Sequence, residues 1–476
     1  MKKIKMLIVL MLTLAMLVLN LSGCGEKKDS VETDSKVTPT ETATVDPTAE
    51  PTEEATATPT EEPARDLGGI EVTIGNWWAG EPAEPTTTYE EELAAYREEI
   101  QKTYNFTIKE VNIGGWGEIQ ELFSTSVMAN DPAASIFVLD SSFVPALLNQ
   151  GLFYPVNEIP SFDFTEEKWN KSVSDTMTFA GKQYGFAVGA EPRTGVFFNK
   201  RLFEDAGLSP DLPYDLQKSG EWTWAKFEEL CQKLTRDVDN DGVVDTYALA
   251  SFSKDYFTAA VYSNNAKFVG KDDNGMFYNA TNEPNFLEAL QWARSMYDKG
   301  YTMPQPEGSE WNWFTAAFHD GQVAMRVAEE YNKGSLSDME DDWGFVMFPA
   351  GPHGEMISIL RENILVIPSC YDAETADKIA FAYNLYTEPL EGYEDADNWK
   401  LSYYSAYRDE RAVDETLDRM KNGPSVLRTD AYVYGLETGD IVYDLDAGAA
   451  TPAEKIEAVQ QTWDALIADA NAVFKQ

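Results

Sequence analysis

The chain has 476 residues and a formal net charge of −44, since 81 Asp and Glu residues outnumber 37 Lys and Arg residues. This length exceeds what one hydrophobic core usually supports, and an apolar fraction of 43% with 12% aromatic residues excludes a chain disordered throughout. The acidity argues against nucleic acid and anionic lipid as partners, because a phosphate-binding surface must be basic. The two histidines, His319 and His353, argue against a His-based zinc site or hydrolytic triad.

The N-terminus has the parts of a secretory signal. Lysines at the start precede an apolar run from Met6 to Leu19, which is too short to span a bilayer comfortably. The next residues, Leu21-Ser22-Gly23-Cys24, resemble the bacterial lipobox, in which the cysteine is lipidated and becomes the new N-terminus. We therefore predict a signal peptide over 1–23 and a lipid anchor on Cys24. The alternative is an ordinary secreted protein with a chance cysteine.

Residues 24–66 have the composition of a tether. They show no apolar periodicity and are rich in Thr, Pro and Glu, with near-repeats such as Thr38-Pro39-Thr40-Glu41 and Thr58-Pro59-Thr60-Glu61. Such a segment buries too little apolar surface to offset the entropy lost on ordering it. At about 3.1 Å per residue, its extended length is at most roughly 130 Å. We predict a disordered spacer between the membrane and the folded part.

From residue 67 onward, strand and helix patterns alternate. They predict strands at 70–74, 106–111, 135–139, 196–198, 322–327, 343–348 and 363–368. Helical periodicity predicts helices at 86–104, 118–129, 224–234, 284–301, 375–386 and 451–474. This alternation predicts an α/β fold with mostly parallel sheets, in which ligands bind at the carboxyl ends of the strands.

Four motifs occur in a set order within this folded part. They are Gly181-Lys182-Gln183-Tyr184-Gly185-Phe186, Val196-Phe197-Phe198-Asn199-Lys200-Arg201-Leu202-Phe203, Trp222-Thr223-Trp224 and Phe318-His319-Asp320-Gly321-Gln322-Val323-Ala324-Met325. In this order they resemble the signature of family 1 extracellular solute-binding proteins, the receptors of ABC sugar importers. The resemblance extends over 67–476, whereas any one motif alone would be weak.

The resemblance implies a two-lobed, type II periplasmic-binding-protein-like fold whose interleaved lobes close on a ligand. Lobe one is expected at 67–188 and 358–425, and lobe two at 189–357 and 426–476, with crossovers near 186–193 and 358–363. The expected ligand is a small molecule, most often an oligosaccharide in such proteins. The expected partners are the membrane subunits of the importer, with the receptor itself a monomer and not an enzyme.

An acidic loop follows the helix predicted at 224–234. Asp237-Val238-Asp239-Asn240-Asp241-Gly242-Val243-Val244-Asp245 matches the first half of an EF-hand loop, an arrangement of oxygen ligands that suits Ca²⁺. Ala248 stands where the full loop has a bidentate glutamate. We predict a structural Ca²⁺ site with the ligand set Asp237, Asp239, Asp241, Val243 and Asp245. A solvated acidic turn is the alternative.

A sugar site needs flat apolar surfaces for the ring faces and planar polar groups for the hydroxyls. Trp77 and Trp78 follow the first strand, Trp116 follows the second, and Asp140 ends the third. Tyr331 stands where the resembled family often has a stacking tryptophan. The crossovers add Glu191 and Arg193 at the first passage, and Arg361, Glu362 and Asn363 at the second. We predict these ten residues as the ligand-binding set, while core packing stays the alternative for each tryptophan.

Other functions remain compatible with the sequence. A glycosidase needs one suitably spaced carboxylate pair, and among 81 acidic residues such a pair cannot be singled out. A surface polysaccharide-processing lipoprotein is therefore one alternative, and a receptor for a peptide or polyamine is another. Beyond Cys24 the chain has Cys231 and Cys370, which we expect to be free thiols.

Overall fold

The computed structural model describes residues 65–81, 84–179, 181–189, 193–272, 275–393 and 398–473. The predicted signal peptide, the lipidation site Cys24, residues 24–64 of the tether and Glu191 lie outside these residues. Within the described ranges, no helix combines the length and the apolar character needed to cross a membrane.

The strands come close to the predicted bounds and include several that the sequence patterns did not indicate. The strands are β1 (Ile70–Asn76), β2 (Phe106–Asn112), β3 (Ile136–Asp140), β4 (Thr178–Phe179), β5 (Lys182–Gln183), β6 (Thr194–Asn199), β7 (Tyr247–Leu249), β8 (Val269–Lys271), β9 (Phe277–Asn279), β10 (Val323–Glu329), β11 (Trp343–Met347), β12 (Ser358–Leu360), β13 (Asn363–Val366) and β14 (Ser425–Leu427).

The helices follow the same pattern, and the six predicted helices are all present. The helices are α1 (Thr88–Tyr104), α2 (Ile119–Met128), α3 (Val144–Asn149), α4 (Lys171–Thr176), α5 (Lys200–Asp205), α6 (Leu212–Ser219), α7 (Trp224–Leu234), α8 (Ser253–Ser263), α9 (Pro284–Asp298), α10 (Trp313–His319), α11 (Ala373–Tyr386), α12 (Leu401–Tyr404), α13 (Asp418–Asn422), α14 (Gly439–Asp446) and α15 (Pro452–Val473).

Local side-chain chemistry explains why α1 begins and ends where it does. Thr87 accepts a hydrogen bond of 3.2 Å from the backbone N–H of Glu90, and the Glu90 carboxylate accepts one of 3.1 Å from the Thr87 N–H. This reciprocal cap satisfies two of the amide groups that have no partner within the helix. At the other end, Asn105 takes a left-handed conformation with φ 54°, which stops the helix one residue before β2.

The first sheet has the strand order β13-β3-β1-β2. β1 pairs in parallel with both β2 and β3, whereas β13 runs antiparallel to β3. All five residues of β3 are buried, as the unbroken apolar run of this strand predicted. The helix α11 covers the sheet with Ile379 and Tyr383, which belong to the same buried cluster as Val72 and Ile136.

The second sheet has the order β11-β6-β10-β7 and is mostly antiparallel, which corrects the expectation of mostly parallel sheets. β6 runs antiparallel to both β10 and β11, and β10 with β7 is the parallel pair. The reason lies in the connectivity. β6 is the first strand after the chain passes from one sheet to the other, so it begins at the junction, where β7, β10 and β11 end. β13, the first strand after the return passage, runs antiparallel to β3 for the same reason.

The two sheets are joined by hydrogen-bonded crossover segments. Phe186 and Leu365 exchange backbone hydrogen bonds of 3.0 and 2.8 Å, which hold the outgoing segment against β13. Arg193 then donates its N–H to the Ile359 carbonyl at 3.2 Å, so the two passages lie side by side. The short parallel pair of β12 and β14 adds to this connection.

The segment 401–422 lies against the second sheet and not against the first, to which the predicted lobe boundary at 425 assigned it. Gln217 donates to the Thr416 hydroxyl at 2.9 Å, and Thr416 donates to the Phe345 carbonyl in β11 at 2.8 Å. Tyr407 donates to Glu330 at 2.5 Å. The chain therefore leaves the first sheet once more, after α11, a passage for which the motifs contained no signature.

Cys231 and Cys370 are free thiols, as expected. Cys231 is fully buried in α7, and this burial raises the pKa of its thiol.

Candidate functional site

The strand ends next to which Trp77, Trp78, Trp116 and Asp140 were predicted share one edge of the first sheet. Asn76 and Asn112 close β1 and β2 in register, and Asp140 at the end of β3 pairs with Asn363 at the start of β13. Across from this edge, Thr194 at the start of β6 pairs with Glu329 at the end of β10. We call the region between these two edges the cleft.

Asp140 is the centre of a polar cluster at the first edge. Its Oδ2 accepts hydrogen bonds from Arg361 Nη2 at 2.6 Å and from Trp116 Nε1 at 3.2 Å. Its Oδ1 accepts from the Ser142 amide at 2.9 Å and hydroxyl at 2.7 Å. Burial raises the pKa of the carboxyl, but Arg361 and Ser142 outweigh it and lower the pKa to about 2. The structure thus brings three predicted residues into one charged, hydrogen-bonded group.

Trp78, which follows β1, presents an exposed aromatic surface at the same edge of the first sheet. Its side chain is 50% exposed, and it lines a cavity of about 180 Å³ together with Asn76, Asn363 and Tyr386. Trp77 has a different role, because it packs against the hydrophobic cores. Its ring meets that of Trp78 edge to face, with 4.7 Å between centroids. Trp77 therefore positions Trp78 and offers no open face of its own.

Tyr331 provides the aromatic surface on the side of the second sheet. It lies two residues after the end of β10 and is 58% exposed. The guanidinium of Arg193 lies 5.7 Å from the centre of its ring, and Arg193 Nε donates to the Arg361 carbonyl at 2.9 Å. Burial, and then the charge of Glu329, raise the pKa of the Tyr331 hydroxyl, which donates to that carboxylate. Tyr331 is thus fixed by neighbours while its ring stays accessible.

Glu362 does not belong to the accessible set, because its side chain is buried and only 1% exposed. The structure therefore groups most of the predicted residues around the cleft, with Trp77 and Glu362 behind its surface.

Charged residues of the second sheet and its connections were missed by the sequence reasoning. Asp255, in the first turn of α8, lies within electrostatic range of Glu329, Arg428, Arg326 and Arg361. Burial and the charge of Glu329 raise the pKa of Asp255 to about 7. Arg326 is 2% exposed, and burial lowers its pKa to about 10. The available signal was a carboxylate three residues after Phe252, shortly past a strand, but β7 and α8 were not predicted.

A group of aromatic side chains borders Asp255. Phe252 lies 6.2 Å from Trp311, 6.1 Å from Phe314 and 6.0 Å from Tyr443, measured between ring centroids. Trp311 and Tyr443 are 71% and 47% exposed. Another cavity, of about 540 Å³, lies along α10, and its lining includes none of the predicted site residues.

The acidic loop at 237–245 brings three of its predicted ligands together. Asp237, Asp239 and Asp245 offer carboxylate oxygens that all lie within 4.8 Å of one another. Oxygens around Ca²⁺ lie about 2.3–2.6 Å from the ion, so opposite ligands are separated by roughly this distance. Asp241 turns instead to the Val243 amide, which donates to it at 2.7 Å. Gly242 has φ +92°, a conformation that favours glycine at the sharp turn.

Comparison with known proteins assigns the chain to a family. The model of the family described as bacterial extracellular solute-binding protein matches residues 80–378, more than half of the chain. A search of curated proteins finds no match. Among solved structures, the chain is similar to the cyclic α-maltosyl-1,6-maltose binding protein from Arthrobacter globiformis, with 20% identity and a TM-score of 0.62 over 84% of this chain and 100% of that one.

Other structures are similar at the same level. The GacH receptor of Streptomyces glaucescens, solved without ligand and with acarbose, has 16% identity and a TM-score of 0.58 over 84% of this chain and 99% of that one. The sugar-binding protein MalE from Xanthomonas citri has 17% identity and a TM-score of 0.58 over 85% and 99%. At these identities the likeness establishes the two-lobed fold. With the family match over residues 80–378, it follows that this chain belongs to the bacterial extracellular solute-binding proteins.

Proposed function

We propose that the protein is the receptor of an ABC importer and captures an oligosaccharide in the cleft. The observation that carries this proposal is the pairing of two exposed aromatic rings, Trp78 at one edge and Tyr331 at the other, with the polar group of Asp140 and Arg361 between the sheets. Aromatic faces suit the apolar side of a sugar ring, and planar charged groups suit its hydroxyls. Structurally similar proteins were solved with acarbose, cycloalternan and mannobiose, which supports the same class of ligand.

The proposed mechanism is closure of the two lobes on the sugar. The crossover segments beside Arg193 and Ile359 are the places where backbone rotation would move one sheet relative to the other. A sugar can shift this equilibrium only by binding the closed form more tightly than the open form. Contacts between the sugar and both edges of the cleft would favour the closed form in this way, because the sugar can touch both edges at once only when the lobes close. The importer's membrane subunits would then recognise the closed form.

A thermal-shift screen tests the proposed function. Mannotriose, maltotriose and cycloalternan are added separately. Spermidine and a tripeptide are tested in the same way, because a polyamine and a peptide are the alternative ligand classes. A bound sugar is expected to raise stability by about 2.7 kcal/mol at 100 times its Kd, because it binds only the folded protein. Stabilisation by spermidine or peptide alone would contradict the sugar assignment. Newly released reducing ends in the sugar samples would instead identify a polysaccharide-processing enzyme.

We further propose that Cys24 carries a lipid and that residues 24–66 hold the receptor away from the membrane surface. The support for this is the sequence alone: Leu21-Ser22-Gly23-Cys24 ends an apolar run, and a Thr, Pro and Glu-rich segment follows. An anchored receptor stays near its importer, which favours repeated delivery of ligand.

We also propose that the loop at 237–245 binds a structural Ca²⁺ through Asp237, Asp239 and Asp245. Their oxygens lie within 4.8 Å of one another, which fits the diameter of a Ca²⁺ coordination shell. The loop connects α7 to β7, and Ala248 at its twelfth position is buried, so the remaining ligands must be backbone carbonyls, Asp241 or water.

EDTA is expected to lower the melting temperature of the protein, and added Ca²⁺ to restore it. A bound ion would offset the repulsion between the three exposed carboxylates and stabilise the folded state by mass action. The measurement is a thermal melt with EDTA, Ca²⁺ or Mg²⁺. Asp239→Asn, which removes one charge from the group, should abolish the response, whereas Asp469→Asn on the exposed face of α15 should leave it unchanged. Equal melting temperatures with EDTA and Ca²⁺ would contradict the site.

A further inference from the structure

Asp255 has a carboxylate without a hydrogen-bond donor among the described residues, although it lies within electrostatic range of Glu329 at the end of β10 and of Arg361 in the crossover. The side chain keeps part of its surface accessible to water, yet charged groups surround it. The neighbouring cations have other partners. Arg428 forms an ion pair with Asp430, and Arg361 forms one with Asp140 at 2.6 Å. The carboxylate is therefore partly accessible and not engaged by a protein donor, so its acceptor oxygens are available to a ligand.

The nearest candidate for a protein partner, Arg326, is directed elsewhere. Its Nη2 donates to Asn332 at 2.7 Å, and its guanidinium lies 5.4 Å from the centre of the Phe314 ring. Its Nε and Nη1 find no acceptor among the described residues, so no bond to Asp255 forms. The Glu329 carboxylate differs from that of Asp255, because it accepts a hydrogen bond from the Tyr331 hydroxyl.

Two exposed aromatic side chains lie near Asp255. Both Tyr331 and Tyr443 are within electrostatic range of its carboxylate, and 58% and 47% of these side chains are exposed. Beyond Tyr443, Phe252 connects to the exposed Trp311. A carboxylate acceptor near exposed aromatic rings suits a pyranose ring, which has apolar faces and hydroxyls around its edge. A cationic ligand would also suit the carboxylate, but Arg326, Arg361 and Arg428 nearby would repel it.

We propose that Asp255 accepts hydrogen bonds from two adjacent hydroxyls of a neutral sugar ring that lies beside Tyr331. This inference rests on the proposed function and names the residue of the second lobe that selects the ligand. Asp255 and the Asp140 group then contact the same ligand from different lobes, so the Asp255 contact forms on closure and contributes to the preference for the closed form.

The proposal predicts a proton linkage. The groups that face Asp255 are Glu329 and Arg326 on β10, Tyr331 after it, Arg361 before β13, Arg428 after β14 and Tyr443 on α14. Burial and Glu329 keep the pKa of the free carboxyl near 7. The ionised form accepts two hydroxyl bonds, so a bound sugar lowers this pKa. Binding at pH 7 should therefore release up to about half a proton, and affinity should rise as pH increases through 7.

Isothermal titration with mannotriose, maltotriose and cycloalternan in Tris and in phosphate buffer tests the proposal, since the two buffers differ in ionisation enthalpy. Wild-type protein should release protons on binding. Asp255→Asn should bind at least tenfold more weakly and release none, whereas Asp469→Asn should behave as wild type. Unchanged affinity and proton release in Asp255→Asn would overturn the assignment. Tighter binding of a glucosamine trimer than of the neutral sugars would also overturn it.

A melting curve distinguishes a ligand-binding role of Asp255 from a role as a structural counter-ion of the neighbouring arginines. The folded-state pKa of Asp255 lies above its unfolded value, so its ionisation costs stability as pH rises from about 4 through 7. Ligand-free Asp255→Asn should therefore melt at a higher temperature than wild type at pH 8 and at the same temperature at pH 4. A lower melting temperature at pH 8 would show that Asp255 stabilises Arg326 or Arg428. If none of the sugars binds wild type, the proposed function fails and this inference fails with it; if one binds both proteins equally, this inference fails alone.

Discussion

Replacement of Asp430 by alanine is expected to lower the free energy of unfolding by about 3–5 kcal/mol. Asp430 and Arg428 form an ion pair whose members are 2% and 8% exposed. The Tyr262 hydroxyl donates a further hydrogen bond of 2.7 Å to Asp430. Without the carboxylate, the guanidinium stays buried without its hydrogen-bonded ion-pair partner, and this is the costly way to break a buried pair.

The position of the pair in the fold increases the expected effect. Arg428 donates its backbone N–H to the Leu360 carbonyl at 3.0 Å, and Tyr262 belongs to α8. The pair therefore links the crossover at β12 to the second lobe. Loss of Asp430 should weaken this link as well as the pair itself, so the loss should also affect closure.

Urea unfolding at pH 7 measures the Asp430 effect, with Asp430→Asn and Asp469→Asn as controls. Asp430→Asn keeps a hydrogen-bond acceptor for Tyr262, so its free energy of unfolding should fall less than that of the alanine variant. The free energy of unfolding of Asp469→Asn should hardly change. Burial raises the pKa of Asp430, but Arg428 outweighs it and the net pKa is lowered. This stabilisation is therefore present above about pH 4 and lost as pH falls further, so the alanine variant and wild type should converge in acid. A difference below about 1 kcal/mol at pH 7 would contradict the prediction.

The sequence was most informative about individual strands and helices. The predicted bounds of α7, 224–234, match the structure, and those of β2 and α15 differ by no more than one residue at each end. Each of these segments buries one continuous face, so its apolar residues recur with the period of the helix or strand and reveal its type and bounds. β7 and α8 were missed because β7 has three residues and because all but two residues of α8 are buried, which leaves no amphipathic pattern.

Strand direction and the attachment of 401–422 were not accessible to the same reasoning. Whether β6 runs parallel or antiparallel to β10 depends on the side from which the chain enters the second sheet. That side is set by the connectivity of the whole fold and not by the residues of the strand. The attachment of 401–422 depends on separate contacts such as Thr416 with Phe345, and these polar side chains carry no periodic signal.

Sequence reasoning selected residues that the structure gathers mostly in one region, but it did not separate exposed members from buried ones. Strand ends led to Asp140 and Trp78, and the second crossover led to Asn363, which pairs with Asp140 at the same edge. The same rule could not tell Trp78, whose ring is exposed, from Trp77, which packs against the core. Asp255 was missed for a different reason: among 81 acidic residues, a carboxylate without a hydrogen-bond donor can be recognised only from its surroundings.

Tyr331→Ala and Trp78→Ala are each expected to weaken oligosaccharide binding about tenfold, or about 1.4 kcal/mol, without unfolding the protein. Both rings are at least half exposed, so removing them leaves no buried cavity. They are also held in place before the ligand arrives: Arg193 lies over Tyr331, and Trp77 supports Trp78. Because the rings are already ordered, little side-chain entropy is lost on binding, and most of the stacking energy appears as affinity.

The two aromatic variants separate the contributions of the lobes. Tyr331→Phe should retain most of the affinity if the ring face is what binds, while Tyr278→Ala, an exposed tyrosine in β9, serves as the control for loss of a surface ring. Titration calorimetry measures affinity, and small-angle scattering with saturating sugar measures closure. Because Tyr331 contributes from the second lobe and Trp78 from the first, the double variant should bind but close incompletely. If neither single variant loses as much as about 1 kcal/mol, sugars bind elsewhere, and the 540 Å³ cavity along α10 becomes the site to test.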